Sequence, residues 1–341
     1  MHLPPALTAR FAVLLALAAL ALSSSARGQD ESSPSDLAPD KSPVQTAKSA
    51  DCPTFRVRPQ DQIWVINTRW LGCSAGGAAE PNWAVWRYES GRWENSTTAD
   101  FYATDSAEIV TAVYIHGNRV DDQNALDDGL AVYFQLVGKL DHEPPVRFVI
   151  WSWPSTQIKG QLNDVRVKAD RADVEAYYLA RFLAGISPEV RVGLLGFSYG
   201  ARIIAGGLHG LGGGRVVGHT IDPGERAKMR VVFWAAAENS DWLLPGRTHG
   251  QALPMAEHWL NLINCCDPAL AQYWRVDKCV GGTALGYAGL YGRNLLPADL
   301  SARFVEWNVT HLIGKQHSLY PYLYSLPIQN RTRQVVLWHE L

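Results

Sequence analysis

The length, charge and composition of the chain narrow the classes of protein to which it can belong. The sequence has 341 residues, of which 31 are Lys or Arg and 33 are Asp or Glu, so the formal net charge is -2 at pH 7. This length suits one large α/β domain, and no shift in composition divides the chain into two comparable halves. The balanced charge, without a run of Lys or Arg, argues against a nucleic-acid partner and against an anionic membrane surface. A small neutral or weakly charged ligand fits better.

The start of the chain has the composition of segments that precede a folded domain. Residues 1–28 contain Arg10, then a short apolar run and then small residues, which is typical of a secretory signal peptide. The alternative is an uncleaved start that anchors the chain. The apolar run is too short for a lasting span, so no integral membrane span is expected after signal removal. Residues 29–51 are rich in Ser, Pro, Asp and Lys, which predicts a disordered linker. The folded domain is expected over 52–341, in a secreted or periplasmic protein.

Strand and helix patterns alternate along this domain. The predicted strands lie at 62–67, at 83–88 with a hairpin return at Trp93, and then at 111–115, 146–151, 190–197, 229–237, 259–263 and 304–309. The predicted helices lie at 121–137, at 170–183 and from Ala201 onward, and the glycine-rich segments 206–214 and 276–296 are predicted to be loops. This alternation predicts an α/β fold with a mostly parallel sheet and helices on both faces.

One stretch combines a strand pattern with a catalytic motif. The apolar run that begins at Val190 ends in Gly196-Phe197-Ser198-Tyr199-Gly200 and leads into a predicted helix. A Gly-x-Ser-x-Gly pattern in this context is typical of a nucleophile elbow, a sharp turn that raises the serine oxygen above a parallel sheet. The two glycines allow strand and helix to pass closely. Ser198 is therefore the candidate nucleophile, and the alternative is a tight turn without chemistry.

The candidate partners of this serine follow later strands. In open parallel sheets, reactive groups collect beyond the carboxyl ends of the strands. Asp267 follows the predicted strand 259–263, and His317 follows the last predicted strand. Serine, acid and histidine in this order along the chain match the α/β-hydrolase fold. In such a triad the histidine accepts the serine proton, and the carboxylate orients the imidazole.

Other residues compete for both roles. Glu238 and Asp241 follow the preceding strand and are alternative acids, and Asp267 could instead only cap a helix. His311 lies closer to its strand end than His317 and is the main alternative base, with His339 more distant.

Backbone N–H groups that would stabilise the negative charge on a substrate carbonyl are expected at two places. Tyr199 supplies one by its position after the serine. The second is expected in the turn after 111–115, from Asn118 or Gly117, and the glycine would allow this turn to approach the elbow. His116 is predicted to be a packed, hydrogen-bonded histidine.

The cysteines and the remaining polar residues give little indication of a metal or another cofactor. Regular ligand spacing is lacking among His116, His142 and Asp121, and no Cys-x-x-Cys pair occurs. Neither a bound metal nor another cofactor is therefore expected. The five cysteines of an exported chain can form disulfides. The candidate pairs are Cys52 with Cys73, and Cys279 with either member of Cys265-Cys266.

Several of these segments together resemble a known family. The chain is similar to a bacterial α/β-hydrolase family of unknown function that carries an HG-Y-N turn and an F-S-W-P-S strand end. The similarity covers about residues 63 to 323 and rests on the elbow and on four more segments, 116–118, 151–155, 264–270 and 314–320. The chain departs from the family at Phe197 and Tyr199, where histidine and methionine are usual, and at 236–238, where Ala-Pro-Asp is usual. The resemblance implies a serine hydrolase without defining a substrate.

The resulting functional prediction is a serine hydrolase of the esterase or lipase type. It would cleave a carboxylic ester, a small-molecule substrate, through an acyl-enzyme. Amide or peptide cleavage would use the same residues. The alternative from another class is a catalytically silent binding or envelope-associated protein on the same fold.

Overall fold

The computed structural model describes most of the predicted domain. The described residues are 57–72, 81–141, 143–222, 224–276 and 282–341. The predicted signal peptide and linker lie outside these ranges, as do Cys52, Cys73, His142 and Cys279. Within the described ranges, no helix is both long enough and apolar enough to cross a membrane.

A single mixed sheet forms the centre of the described residues. Its strands are β1 Gln62–Asn67, β2 Ala84–Glu89, β3 Arg92–Ser96, β4 Val110–Ile115, β5 Val146–Ser152, β6 Arg191–Phe197, β7 Lys228–Trp234, β8 His258–Ile263 and β9 Phe304–Asn308. The strand order is β3-β2-β1-β5-β4-β6-β7-β8-β9. Only β2 runs antiparallel to its neighbours in this sheet, and the other pairings are parallel. Every residue of β4 and β5 is buried, as expected for strands covered on both faces.

Helices connect the strands and cover the sheet. They are α1 Thr98–Tyr102, α2 Asp122–Tyr133, α3 Gln161–Ala184, α4 Tyr199–Leu211, α5 Leu285–Ala288, α6 Ala298–Arg303, α7 Thr310–Ile313, α8 Leu319–Tyr324 and α9 Leu326–Val336. A π-helical turn, Phe134–Gly138, continues α2. Short 3-10 segments lie at Leu253–Met255, Leu270–Arg275 and Arg293–Leu295.

Two glycines of β6 show that both faces of the sheet are covered. Side chains alternate along a strand, so Gly193 and Gly196 lie on opposite faces. A Cβ added at Gly193 would lie 2.1 Å from the carbonyl oxygen of Val336 in α9, and one added at Gly196 would lie 2.6 Å from the amide nitrogen of Ala201 in α4. The helices therefore approach the sheet backbone closely from each side. The mostly parallel sheet with helices on both faces confirms the predicted α/β-hydrolase fold.

The predicted loop at 206–214 is wrong over most of its length, because α4 continues to Leu211. The reason is helix packing. A Cβ added at Gly206 would lie 2.7 Å from the Cβ of Ala176, and one added at Gly207 would lie 3.1 Å from Leu179 Cδ2, both in α3. The glycines allow α4 to approach α3, and this packing outweighs their low helix propensity.

The ends of two other elements also differ from the predictions. Helix α3 begins at Gln161, well before the predicted start at residue 170, and its first residues are largely exposed and so lack an apolar pattern. Strand β7 ends at Trp234 because Ala235 has a φ of 49°, outside the β region. The segment 276–296 is not wholly a loop, since it contains α5 and a short 3-10 segment.

Candidate active site

Ser198 occupies a strained turn between β6 and α4. Its φ of 54° and ψ of -117° are unusual for a residue with a side chain. Backbone hydrogen bonds hold this conformation. The Ser198 amide donates to the carbonyl of Trp234 at 3.0 Å, and the Ser198 carbonyl accepts from the amide of Ala237 at 3.1 Å. A non-glycine residue keeps such a conformation only where its surroundings enforce it, as at the predicted nucleophile elbow.

The predicted acid and base both lie beside this serine. His317 Nε2 is 3.0 Å from Ser198 Oγ, and His317 Nδ1 is 2.7 Å from Asp267 Oδ2. An ionised carboxylate only accepts hydrogen bonds, so the proton on Nδ1 faces Asp267 and leaves Nε2 free to accept the serine proton. The Asp267 side chain is fully buried, whereas the His317 side chain is 22% exposed. The arrangement combines a shielded carboxylate with an imidazole that a substrate can reach.

Asp267 also has the alternative role considered from the sequence. Its Oδ1 accepts hydrogen bonds from the amides of Ala269 at 2.9 Å and Leu270 at 3.0 Å, at the start of a 3-10 segment. One carboxylate oxygen therefore caps the segment, and the other contacts the histidine. Both interactions fix the orientation of the carboxylate.

The alternative acids have other partners. Glu238 is fully buried and its Oε1 lies 2.7 Å from His249 Nδ1. Asp241 lies 3.6 Å from Arg247. In the described part of the chain, neither carboxylate has a hydrogen bond to Ser198.

The alternative bases have no hydrogen bond to Ser198 in the ranges that the structure describes. His311 is exposed, and His339 Nε2 lies 2.7 Å from Glu143 Oε2. Among the described residues, His317 is the histidine that hydrogen-bonds Ser198.

The backbone amides of the predicted oxyanion turn and of the residue after Ser198 lack acceptors within the described part of the chain. Tyr199 is the first residue of α4, where a backbone N–H has no partner within the helix. The amides of Tyr199 and Asn118 have no acceptor among the described residues. Gly117 brings the Asn118 turn against the elbow, because a Cβ added at Gly117 would lie 3.0 Å from Ser198 Cβ.

Asp164, which the sequence did not single out, holds this turn. The buried carboxylate lies in the first turn of α3 and accepts hydrogen bonds from Asn118 Nδ2 at 3.0 Å, Arg119 Nε at 2.9 Å and the amide of Ile158 at 2.9 Å. Burial disfavours the charged carboxylate, but these hydrogen bonds outweigh burial and lower the pKa of Asp164. Arg119 has a φ of 62°, so the carboxylate stabilises an unusual backbone conformation. No sequence pattern distinguishes Asp164 from the other acidic residues of α3.

His116 is a packed histidine, as predicted. It is fully buried and stacks on Trp153 with ring centroids 5.6 Å apart. Its Nδ1 donates to the carbonyl of Gly117 at 2.9 Å, and its Nε2 accepts from the amide of Trp153 at 3.3 Å. These partners require the neutral tautomer with the proton on Nδ1. Burial and, to a lesser degree, the positive charge of Arg69 lower the pKa of His116 to about 3.

This buried histidine is expected to make the fold sensitive to acid. The unfolded chain protonates His116 near pH 6.5, whereas the folded chain does so only near pH 3. Between these values only the unfolded state binds the proton, so the free energy of unfolding decreases as the pH falls through this range. Each proton that only the unfolded state binds contributes a slope of about 1.4 kcal/mol per pH unit. We expect His116→Asn, which keeps a donor for Gly117, to flatten the pH dependence of the unfolding free energy, measured by urea denaturation between pH 7 and 4.

A residual slope should persist in that variant, because burial also lowers the pKa values of His209 and His258 to about 4. The exposed His311→Asn is the matched control and should leave the slope unchanged. If the unfolding free energies of wild type and His116→Asn had equal slopes against pH, the low pKa assigned to His116 would be contradicted.

Two of the five cysteines, Cys265 and Cys266, lie within the described ranges. Cys265 and Cys266 are free and exposed, so the predicted disulfides are not supported at either position. Within the described ranges, no group of three or more His, Cys, Asp or Glu side chains could hold a metal ion.

Two solved structures show a distant likeness to this chain. A cutinase-like protein from Cryptococcus sp. is 13% identical, with a TM-score of 0.32, and the match covers 68% of this chain and 95% of that chain. An inhibited esterase B from Lactobacillus rhamnosis is 13% identical, with a TM-score of 0.38, and the match covers 82% of this chain and 85% of that chain. The sequence matches no protein-family model and no curated protein. Neither likeness assigns an activity, and the resemblance to the bacterial family stays a prediction.

Proposed function

We propose that this protein is a serine hydrolase that cleaves a carboxylic ester of a small molecule through an acyl-enzyme. The observation that supports the proposal is the continuous series of contacts from Asp267 through His317 to Ser198, at 2.7 and 3.0 Å, with the serine on a strained elbow. A binding protein would need none of this arrangement. The pattern of residues 1–28 supports the further proposal that the protein is secreted or periplasmic.

The reaction follows from the positions of the protons. Ser198 Oγ attacks the ester carbonyl carbon while its proton passes to His317 Nε2, and the positive imidazolium is stabilised by the Asp267 carboxylate. The carbonyl oxygen becomes an oxyanion, for which the amides of Tyr199 and Asn118 are the proposed donors. When the tetrahedral intermediate collapses, the ester C–O bond breaks and the alcohol leaves with the proton from His317. Water then repeats the sequence on the acyl-enzyme and releases the carboxylic acid.

Labelling with a fluorophosphonate probe tests the proposed nucleophile. We expect the folded protein to form a covalent adduct at Ser198, located by mass spectrometry of the peptide, because such probes react with an activated serine. The control Ser198→Ala should show no adduct. Labelling that survives this substitution would exclude Ser198 as the labelled residue, and an unlabelled native protein would favour the binding-protein alternative.

The ester class is tested separately. The native protein, without the fluorophosphonate, would be assayed with p-nitrophenyl esters of short and long acyl chains and with the matching anilides. Hydrolysis of the esters alone supports the proposed reaction, whereas equal hydrolysis of the anilides would replace it with an amidase.

A further inference from the structure

We infer that Asn264 is a positioning residue that sets the distance between the acid and the base of the proposed triad. Asn264 follows β8 and is fully buried. It has no hydrogen bond to Ser198 or His317, so it would act through the two loops that carry Asp267 and His317. The inference rests on the proposed hydrolase function and assigns a role to a residue that the catalytic steps do not use.

Asn264 shapes the turn that presents the acid. Its side-chain Oδ1 accepts a hydrogen bond from the amide of Cys266 at 3.1 Å, and its backbone carbonyl accepts from the amide of Asp267 at 3.2 Å. The first bond is the local side-chain contact by which asparagine stabilises turns. The backbone of the turn is also tied to a neighbouring segment, since the Asn264 amide donates to the carbonyl of Gly286 at 2.8 Å.

The other end of the same amide group holds the loop before the base. Asn264 Nδ2 donates to the carbonyl of Gly314 at 2.9 Å and to the carbonyl of Gln316 at 3.4 Å. Gln316 directly precedes His317 in the chain. Gly314 has a φ of 69°, a backbone conformation that favours glycine. The hydrogen bond from Asn264 holds the loop in this conformation.

One planar side chain therefore connects two loops that are 50 residues apart in sequence, the separation of Asp267 and His317. If the connection is removed, each loop keeps its own backbone, but the position of one loop relative to the other is no longer fixed by a shared side chain. Proton transfer depends steeply on geometry, and a displacement of about 1 Å can cost about 100-fold in rate. The expected loss lies in the chemical step rather than in substrate binding.

The experiment compares two buried asparagines of the same region in the full chain. Asn264→Ser keeps an oxygen for the Cys266 amide but is too short to reach Gly314. Asn261→Ser is the matched control, because Asn261 is equally buried in β8 and its Nδ2 donates to the carbonyl of Leu285 at 3.2 Å, outside both loops. A second variant, Asn264→Asp, is used in case Asn264→Ser does not fold. The aspartate side chain has the same shape, but a carboxylate oxygen that accepts hydrogen bonds replaces the Nδ2 donor.

Two measurements separate positioning from a merely structural role. The first is kcat against KM on the best ester, and we expect Asn264→Ser to lower kcat by about 10- to 100-fold with KM changed by less than about threefold. The second is the far-downfield proton NMR signal of the hydrogen shared by His317 and Asp267, identified by its loss in His317→Ala. The signal should weaken in Asn264→Ser and persist in Asn261→Ser.

A folded Asn264 variant with wild-type kcat and an intact NMR signal would overturn the inference while leaving the proposed function standing. A wild-type protein that shows the signal but neither reacts with the fluorophosphonate nor hydrolyses esters would defeat the proposed function. The NMR comparison would then still decide whether Asn264 positions the pair.

Discussion

His317→Ala is expected to lower kcat by on the order of 10⁴- to 10⁶-fold, because without an acceptor for its proton Ser198 is a poor nucleophile. The fold should persist, since the imidazole is 22% exposed and is not part of the buried core. Hydrolysis of the best p-nitrophenyl ester measures the loss, and circular dichroism checks the fold.

The matched control for this substitution is His311→Ala. His311 lies in α7, a few residues before His317, and is exposed. We expect its removal to change kcat by less than about twofold, since in the described part of the chain it has no hydrogen bond to a member of the proposed triad. If His317→Ala kept more than about a tenth of the wild-type kcat, the assignment of the general base would be wrong.

Gly200→Ala is expected to destabilise the fold by at least about 3 kcal/mol, at or above the upper end of typical overpacking costs. A Cβ at this position would lie 2.1 Å from the carbonyl oxygen of Ile115. Ile115 cannot move away easily, because β4 is paired with β5 on one side and with β6 on the other. Urea denaturation measures the free energy of unfolding, and fluorophosphonate labelling reports whether the elbow survives.

Gly224→Ala is the control for this second prediction. A Cβ at Gly224 would lie 3.8 Å from the nearest heavy atom, Arg226 Nη1, which is an ordinary contact. We expect a change in stability of less than about 0.5 kcal/mol. A Gly200→Ala protein as stable as Gly224→Ala would mean that α4 and β4 do not approach as closely as the structure shows.

Some features of the site were predictable from local patterns alone. The buried runs that became β4, β5 and β6 are almost continuously apolar, and such runs indicate strands covered on both faces. The Gly-x-Ser-x-Gly motif between a strand and a helix predicted the turn at Ser198. The positive φ of this serine agrees with that prediction.

Other features depended on contacts between distant parts of the chain. The glycines from Gly206 onward predicted a loop, and their helical conformation follows from the approach of α3, a separate element of the fold. Asp164 and Asn264 are an ordinary acid and an ordinary amide in the sequence. Their hydrogen bonds to the loops around Ser198 and His317 exist only once the strands have assembled.

The sequence by itself determined the alternation of strands and helices, the elbow and the order of the candidate residues, because each depends on periodicity or on neighbours in the chain. The tertiary structure decided which candidates meet. Asp267 rather than Glu238 contacts His317, and His317 rather than His311 contacts Ser198 across 119 residues of sequence. The physical reason is that such contacts depend on the order of strands in the sheet and on the course of the loops beyond their ends, which local periodicity does not encode.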